Sequence, residues 1–181
     1  MYHREKGEKK MNTLIVTGSP RKGMFSDRIA EEIRKKTDGT VIHLREKTLS
    51  PCRACEYCHT KGNGECAIKD DMSALYPLFR EAGTIVLVSP IYWWQVTAQM
   101  KTFIDRLYAF GHDEWKGKKA VVILNGGAED DDVEFRILRD AFSEMFSYLS
   151  VDFRYLGVGT TDEKAYENEK DRLHSFIEEN F

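Results

Sequence analysis

Short apolar runs alternate along this chain with stretches in which apolar residues recur every three or four positions. The first run, residues 12–18 (NTLIVTG), is β-rich and ends on glycine, and residues 26–36 then have the spacing of an amphipathic helix. A second strand is predicted at 40–44. Asp70 and Asp71 can cap a helix running through Met72, Leu75, Leu78 and Phe79, with Pro77 inside it predicting a kink or an early stop. Residues 84–89 (TIVLVS) are apolar throughout, as a strand buried on both faces should be. Met100, Phe103, Ile104 and Leu107 form one stripe of a helix over 97–110. A strand at 119–125, a helix at 133–149, a strand at 151–158 and a helix at 163–181 complete the pattern.

Five strands alternating with helices imply an α/β three-layer sandwich, a parallel sheet with helices on both faces. A chain of 181 residues fits one domain, here 11–181. The charged stretch 1–10 (MYHREKGEKK) lacks a signal peptide's apolar region and reads as a disordered extension or a cloning remnant. A net charge of −3 gives no electrostatic case for nucleic acid. No apolar run approaches the roughly 20 residues that span a bilayer, so no membrane partner is expected, and without a secretion signal the cysteines are expected in a reducing cytoplasm.

In such sheets ligands sit beyond the carboxyl ends of the strands, near the point where strand order reverses. That singles out three loops. The first, residues 18–26 (GSPRKGMFS), offers helix N-terminal amides, two hydroxyls and a guanidinium, a donor set for an anionic phosphate. Ser19-Pro20 breaks a dinucleotide fingerprint, and Met24-Phe25 after Gly23 breaks a Walker loop, leaving a terminal phosphate monoester such as that of FMN. The alternative is a plain strand–helix turn with a capping serine. The second loop, 89–95 (SPIYWWQ), carries three consecutive aromatics that would suit a flat isoalloxazine ring, or would pack on a helix or another subunit. The third, 125–128 (NGGA), permits close backbone approach or forms a simple turn, and the acidic run 129–132 reads as capping the next helix.

All four cysteines, Cys52, Cys55, Cys58 and Cys66, fall in one segment as C-x2-C-x2-C-x7-C. Soft thiolates at this spacing suit an iron–sulfur cluster. Zinc with His59 as an extra ligand, or no metal at all, are the other readings.

The loop 18–26, the cysteine segment running into Asp70, Asp71 and Met72, and the run 89–106 (SPIYWWQVTAQMKTFIDR) occur in an order that resembles the flavodoxin-like NAD(P)H-dependent FMN reductases, in particular their iron–sulfur flavoprotein branch. The resemblance implies a five-stranded sheet in the order 2-1-3-4-5 and non-covalent FMN. By position, Ser19, Arg21, Met24, Phe25 and Ser26 would hold the phosphate. Pro90, Ile91, Tyr92, Trp93 and Trp94 would line the ring, with Gly126 and Gly127 closing the other side. Met24-Phe25 departs from the Gly-Asn of many relatives. The four cysteines would ligate a [4Fe–4S] cluster. A homodimer or homotetramer is implied, with Trp93 or Trp94 serving both ring and interface.

The function so implied is an FMN-dependent NAD(P)H oxidoreductase. A nicotinamide would pass hydride to flavin N5, and electrons would go on to a quinone, a small electrophile or an electron-transfer partner. No catalytic side chain is assigned; His112 is weighed as an acid against an ordinary surface histidine. The rival classes are an iron–sulfur flavoprotein, a flavodoxin-type electron carrier or a regulatory module without its own NAD(P)H activity, and a non-redox mononucleotide-binding domain.

Overall fold

The computed structural model describes residues 12–181; the reading of 1–10 as an extension lies outside them. The sheet is built from β1 (Thr13–Thr17), β2 (Thr40–His43), β3 (Thr84–Tyr92), β5 (Lys119–Gly126) and β6 (Asp152–Gly159), all parallel, in the order β2-β1-β3-β5-β6. This is the expected order 2-1-3-4-5, since β4 (Gln95–Val96) is a two-residue strand pairing antiparallel with the end of β3.

The helices are α1 (Phe25–Thr37), α2 (Met72–Glu81), α3 (Ala98–Arg106), α4 (His112–Trp115), α5 (Val133–Tyr148) and α6 (Glu163–Asn180). They divide between the sheet faces because β3 alternates. Ile85 and Leu87 join a core with Phe79 of α2, Phe103 of α3 and Phe135 of α5. Val86 and Val88 join a separate core with Ile29 of α1 and Tyr166 of α6. Both sides of the strand are therefore dry, which is why its sequence is apolar without a period of two.

Three elements differ from their expected form. The helix predicted over 97–110 ends at Arg106 and tightens into a 3-10 turn at Leu107–Ala109. α2 continues through Pro77 to Glu81 rather than stopping there. Its last carbonyls are satisfied by the buried Lys118, whose Nζ donates to the carbonyls of Phe79 and Arg80, each at 3.0 Å, and to that of Ala82. β3 runs three residues past its predicted end and turns back through β4. Among the described residues no helix is long and apolar enough to cross a membrane.

Candidate functional site

Strand order reverses between β1 and β3, and the loops leaving β1, β3 and β5 meet beyond that point. Gly18 ends β1 by donating its amide to the Val88 carbonyl at 2.8 Å, while its own carbonyl accepts the Thr97 hydroxyl at 2.6 Å. A Cβ at Gly18 would come within 2.8 Å of Met100 Cβ and 2.9 Å of Thr97 Oγ1. Only glycine lets the first loop lie this close to the N-terminus of α3.

The first loop then wraps toward the N-terminus of α1. Ser19 is buried, its hydroxyl accepting from the Arg21 amide at 3.2 Å and donating to the Arg21 carbonyl at 3.1 Å. Gly23 takes φ +73° and donates its amide to Asp27 Oδ2 at 2.6 Å. The amides of Ser19, Met24, Phe25 and Ser26 have no hydrogen-bond acceptor among the described residues. This row of free amides at a helix N-terminus, flanked by the exposed Arg21 and Lys22, is the donor set a phosphate monoester needs.

Side chains in this loop divide between cradle and interior. Phe25 is buried, its ring tilted against Tyr166 of α6 at 5.0 Å between centroids, and Met24 is half-buried as the residue preceding α1. The Ser26 hydroxyl donates to Asn125 Oδ1 at 2.6 Å, and the Asn125 amide reaches Thr160 Oγ1 at 3.5 Å. Ser26 thus offers its backbone amide to the cradle and uses its hydroxyl to tie the first loop to the third. That partner lies 99 positions away in sequence, beyond any local signal.

The second loop is a β-hairpin. Ile91 pairs with Val96 and Tyr92 with Gln95, leaving Trp93 and Trp94 as a two-residue turn with φ of +52° and +59°. Two positive φ values make this a type I′ turn, for which Asn-Gly is the usual sequence. Tryptophan has no side-chain hydrogen bond to offset that backbone, so the turn stores strain. The rings are also left in solvent: Trp93 is 90% exposed, Trp94 53% and Tyr92 40%. Pro90 is buried within β3, and Ile91 is half-buried beside Gly126. Gly126 is packed on Phe135, whereas Gly127 is exposed and a Cβ there would meet nothing within 4 Å. The hairpin tip thus offers exposed aromatic rings and Gly127 offers bare backbone, both at the same sheet edge, which suits a planar heterocycle. Donor row and aromatic hairpin together fit FMN.

The cysteine segment is clasped at its base. The Thr48 amide donates to Asp71 Oδ2 and the Ser50 amide to Asp70 Oδ2, both at 2.8 Å. The buried Arg106 donates to the Ser50 carbonyl and to Asp70 Oδ2, each at 2.8 Å. Asp70 also accepts the Met72 amide at 3.1 Å, so one of the two predicted capping aspartates serves α2 while Asp71 is spent on Thr48.

Within the segment, Cys52 and Cys55 are exposed and Cys58 and Cys66 partly buried. The Ala54 amide donates to Cys52 Sγ and the Ile68 amide to Cys66 Sγ, each at 3.5 Å. Burial pushes the Cys58 thiol above its ordinary pKa, and charge on Cys66 and Cys52 pushes the same way. Ala54 and Glu56, on either side of Cys55, are left-handed. Among the described residues no group of three His, Cys, Asp or Glu side chains is gathered for a metal, whether zinc or a cluster. Thiolates that accept amide hydrogen bonds are chemically suited to an iron–sulfur cluster. His59 instead bonds the Tyr108 carbonyl at 2.6 Å.

His112 begins α4, is exposed, and packs edge-on against Tyr148 at 4.8 Å. It lines an apolar cleft of about 620 Å³ with Phe110, Trp115 and Phe146, on the face carrying α3 and α5. The acidic run 129–132 contributes the residue preceding α5, Asp132, and an ion pair from Asp130 to Arg172.

The sequence matches the family model described as NADPH-dependent FMN reductase over residues 11–153. An iron-sulfur flavoprotein of Archaeoglobus fulgidus is 34% identical over 131 residues, covering 68% of this chain and 59% of that protein. The matched part of the chain thus spans about three fifths of the length of the curated iron-sulfur flavoproteins of that organism. Among solved structures, an NAD(P)H:quinone oxidoreductase from Methanothermobacter marburgensis superposes with a TM-score of 0.71 at 17% identity, over 92% of this chain and 95% of that one. An FMN-dependent NADH-azoreductase from Bacillus anthracis, solved with FMN, gives 0.68 at 17% identity over 93% and 98%. At these identities the likeness is one of fold, the flavodoxin-like arrangement of sheet and helices. Motifs, strand order and the match over 11–153 agree: the chain belongs to the NADPH-dependent FMN reductase family.

Proposed function

We propose that this protein binds FMN non-covalently and works as an NAD(P)H-dependent flavin oxidoreductase. The observation that carries this reading is the meeting of two dissimilar devices at one switch point. One is a row of unpartnered amides at the start of α1, and the other a strained hairpin that holds Tyr92, Trp93 and Trp94 out of the core. The cradle fixes a phosphate through the amides of Ser19, Met24, Phe25 and Ser26, with Arg21 adding charge. Ile91, the hairpin aromatics and Gly127 hold a ring and keep water from one side of it. Bound FMN would supply the redox chemistry, hydride acceptance from a nicotinamide donor and electron delivery to a quinone, a small electrophile or a protein acceptor.

Anaerobic mixing of NADH and NADPH with the FMN-loaded protein tests the activity. Loss of absorbance near about 450 nm is expected with at least one donor. If neither donor bleaches the FMN-loaded protein, the reductase reading fails and a carrier or regulatory module without NAD(P)H activity is left.

The cysteine segment carries a second cofactor reading, supported by its amide-to-sulfur bonds and its left-handed turns. Cys52, Cys55, Cys58 and Cys66 would hold a [4Fe–4S] cluster, which supplies one-electron transfer. Iron and sulfide analysis of anaerobically purified protein tests it, and flavin without iron refutes it. A homodimer or homotetramer is proposed as well, supported by the apolar cleft on the α3 and α5 face and by Tyr108 and Tyr148 exposed at its rim. A monomer in sedimentation velocity refutes that.

A further inference from the structure

Asp27 sits in the first turn of α1, beneath the amides of the phosphate cradle. An acid at this position usually favours a helix, because it faces the positive end of the macrodipole. Here it competes for that end with the group the cradle is built to receive. A carboxylate and a phosphate dianion at one helix terminus repel each other.

The structure shows what the carboxylate is kept for and what is done about its charge. Asp27 Oδ2 accepts the Gly23 amide at 2.6 Å, which fixes the left-handed glycine that turns the loop. Its other oxygen, Oδ1, accepts from Arg45 NH1 at 2.8 Å and lies 3.4 Å from His43 Nδ1. His43 Nδ1 is in turn 2.9 Å from Thr17 Oγ1, on the strand leading into the cradle. The Asp27 and Arg45 side chains are only 13% and 11% exposed, so solvent screens this pair weakly. Arg45 follows β2 and is remote in sequence from both the first loop and the ring-side hairpin.

We infer that Arg45 is a positioning residue for the flavin phosphate, acting by cancelling the charge of Asp27 so that Asp27 can shape the cradle without repelling the phosphate. The inference rests on the FMN reading and adds to it a residue that touches no cofactor. It makes a selective prediction. Riboflavin has the ring but not the phosphate, so disturbing the charge balance should change FMN affinity and spare riboflavin.

The test is titration of both flavins, followed by quenching of flavin fluorescence, at low and high salt. The wild-type protein should bind FMN more tightly than riboflavin; a wild type that binds neither refutes the FMN reading itself. Given that binding, Arg45→Met should weaken FMN by about tenfold and leave riboflavin within about twofold, the loss shrinking in high salt. Asp27→Asn in the Arg45→Met background should restore most of the FMN affinity, since the amide oxygen can still accept from Gly23. Asp27→Asn alone, which does not depend on the folding of the Arg45 variant, should bind FMN at least as tightly as wild type. Equal loss of both flavins in Arg45→Met, no recovery in the double variant, or weaker FMN binding in Asp27→Asn would overturn the inference.

Discussion

Trp93 and Trp94 hold backbone conformations that cost each non-glycine residue about 1–2 kcal/mol, and they spend that energy keeping indoles in water. Neither cost benefits the empty fold, so Trp94→Gly should raise the melting temperature of flavin-free protein, by a net gain of about 1 kcal/mol after glycine's own entropy. The same variant should bind FMN more weakly. Lower stability together with unchanged flavin affinity would contradict the placement of the ring. Ser26→Ala tests a different contact. Losing the hydroxyl leaves Asn125 Oδ1 buried without its donor, at a cost of about 1–3 kcal/mol, and loosens the link between the first and third loops. FMN and riboflavin affinities should therefore fall together, in contrast to the phosphate-selective loss expected at Arg45. At this scale the sequence was only half readable. The loop 18–26 announced its amides and its guanidinium, but the destination of the Ser26 hydroxyl and the neutralisation of Asp27 depend on partners supplied by distant strands. The Trp-Trp turn was hidden for another reason: it violates the chemistry by which hairpin turns are recognised, so 89–95 read as a loop.

Elements are joined to the cysteine segment through one buried ion pair. Arg106 and Asp70 are nearly inaccessible, and Arg106 binds both ends of the segment at once, through the carbonyls of Ser50 and Ile68. Removing one member leaves the other charged and unpaired, so Arg106→Met should destabilise the protein by about 3–5 kcal/mol in chemical denaturation. Burial alone would raise the Asp70 pKa, but the Arg106 guanidinium and the amides of Ser50 and Met72 outweigh it and hold the carboxyl below the usual aspartate range. Its contribution is therefore fully present above the unfolded value, about pH 4, and is lost as pH falls through the lower folded value. Limited proteolysis between residues 50 and 70 should accelerate on acidification below that point and not between pH 5 and 7; cleavage independent of pH would sink this account. The helical stripes and apolar runs exposed most of the elements in advance. Pro77 misled because a proline costs one bond in a helix, and α2 recovers support at its end from Lys118, 39 positions beyond Phe79. A lysine so far from the helix it finishes carries no mark of that task.

For the molecule as a whole, the proposed flavin site draws on β1, β3 and β5, the three strands flanked by neighbours on both sides. Anything held by all three loops is coupled to global unfolding. FMN at about 100 times its dissociation constant should stabilise the protein by about 2.7 kcal/mol, visible as a saturable rise in melting temperature, with riboflavin giving a smaller rise. No shift with FMN would refute the site. The parallel sheet itself was legible because dry strands cannot alternate, whereas strand order came from family resemblance: short connections leave more than one order open, and only pairing fixes it.

The clasp beneath the cysteines bears on how this fold can be altered. Ser50 and Asp70 are adjacent in space, joined by a 2.8 Å bond, although 20 positions separate them in the chain. The stretch between them starts and ends at one clasp, so its ends are held together independently of its middle, where Cys58 and Cys66 pack against the core and Arg80 bonds Gly64 and Glu65. Replacing residues 52–67 by a few glycines and serines, with Ser50, Ile68, Asp70 and Arg106 retained, should give a folded protein that still takes up FMN. A shortened chain that lost flavin would mean the segment also supports the ring site; one that kept it would separate the two cofactor questions in a single preparation.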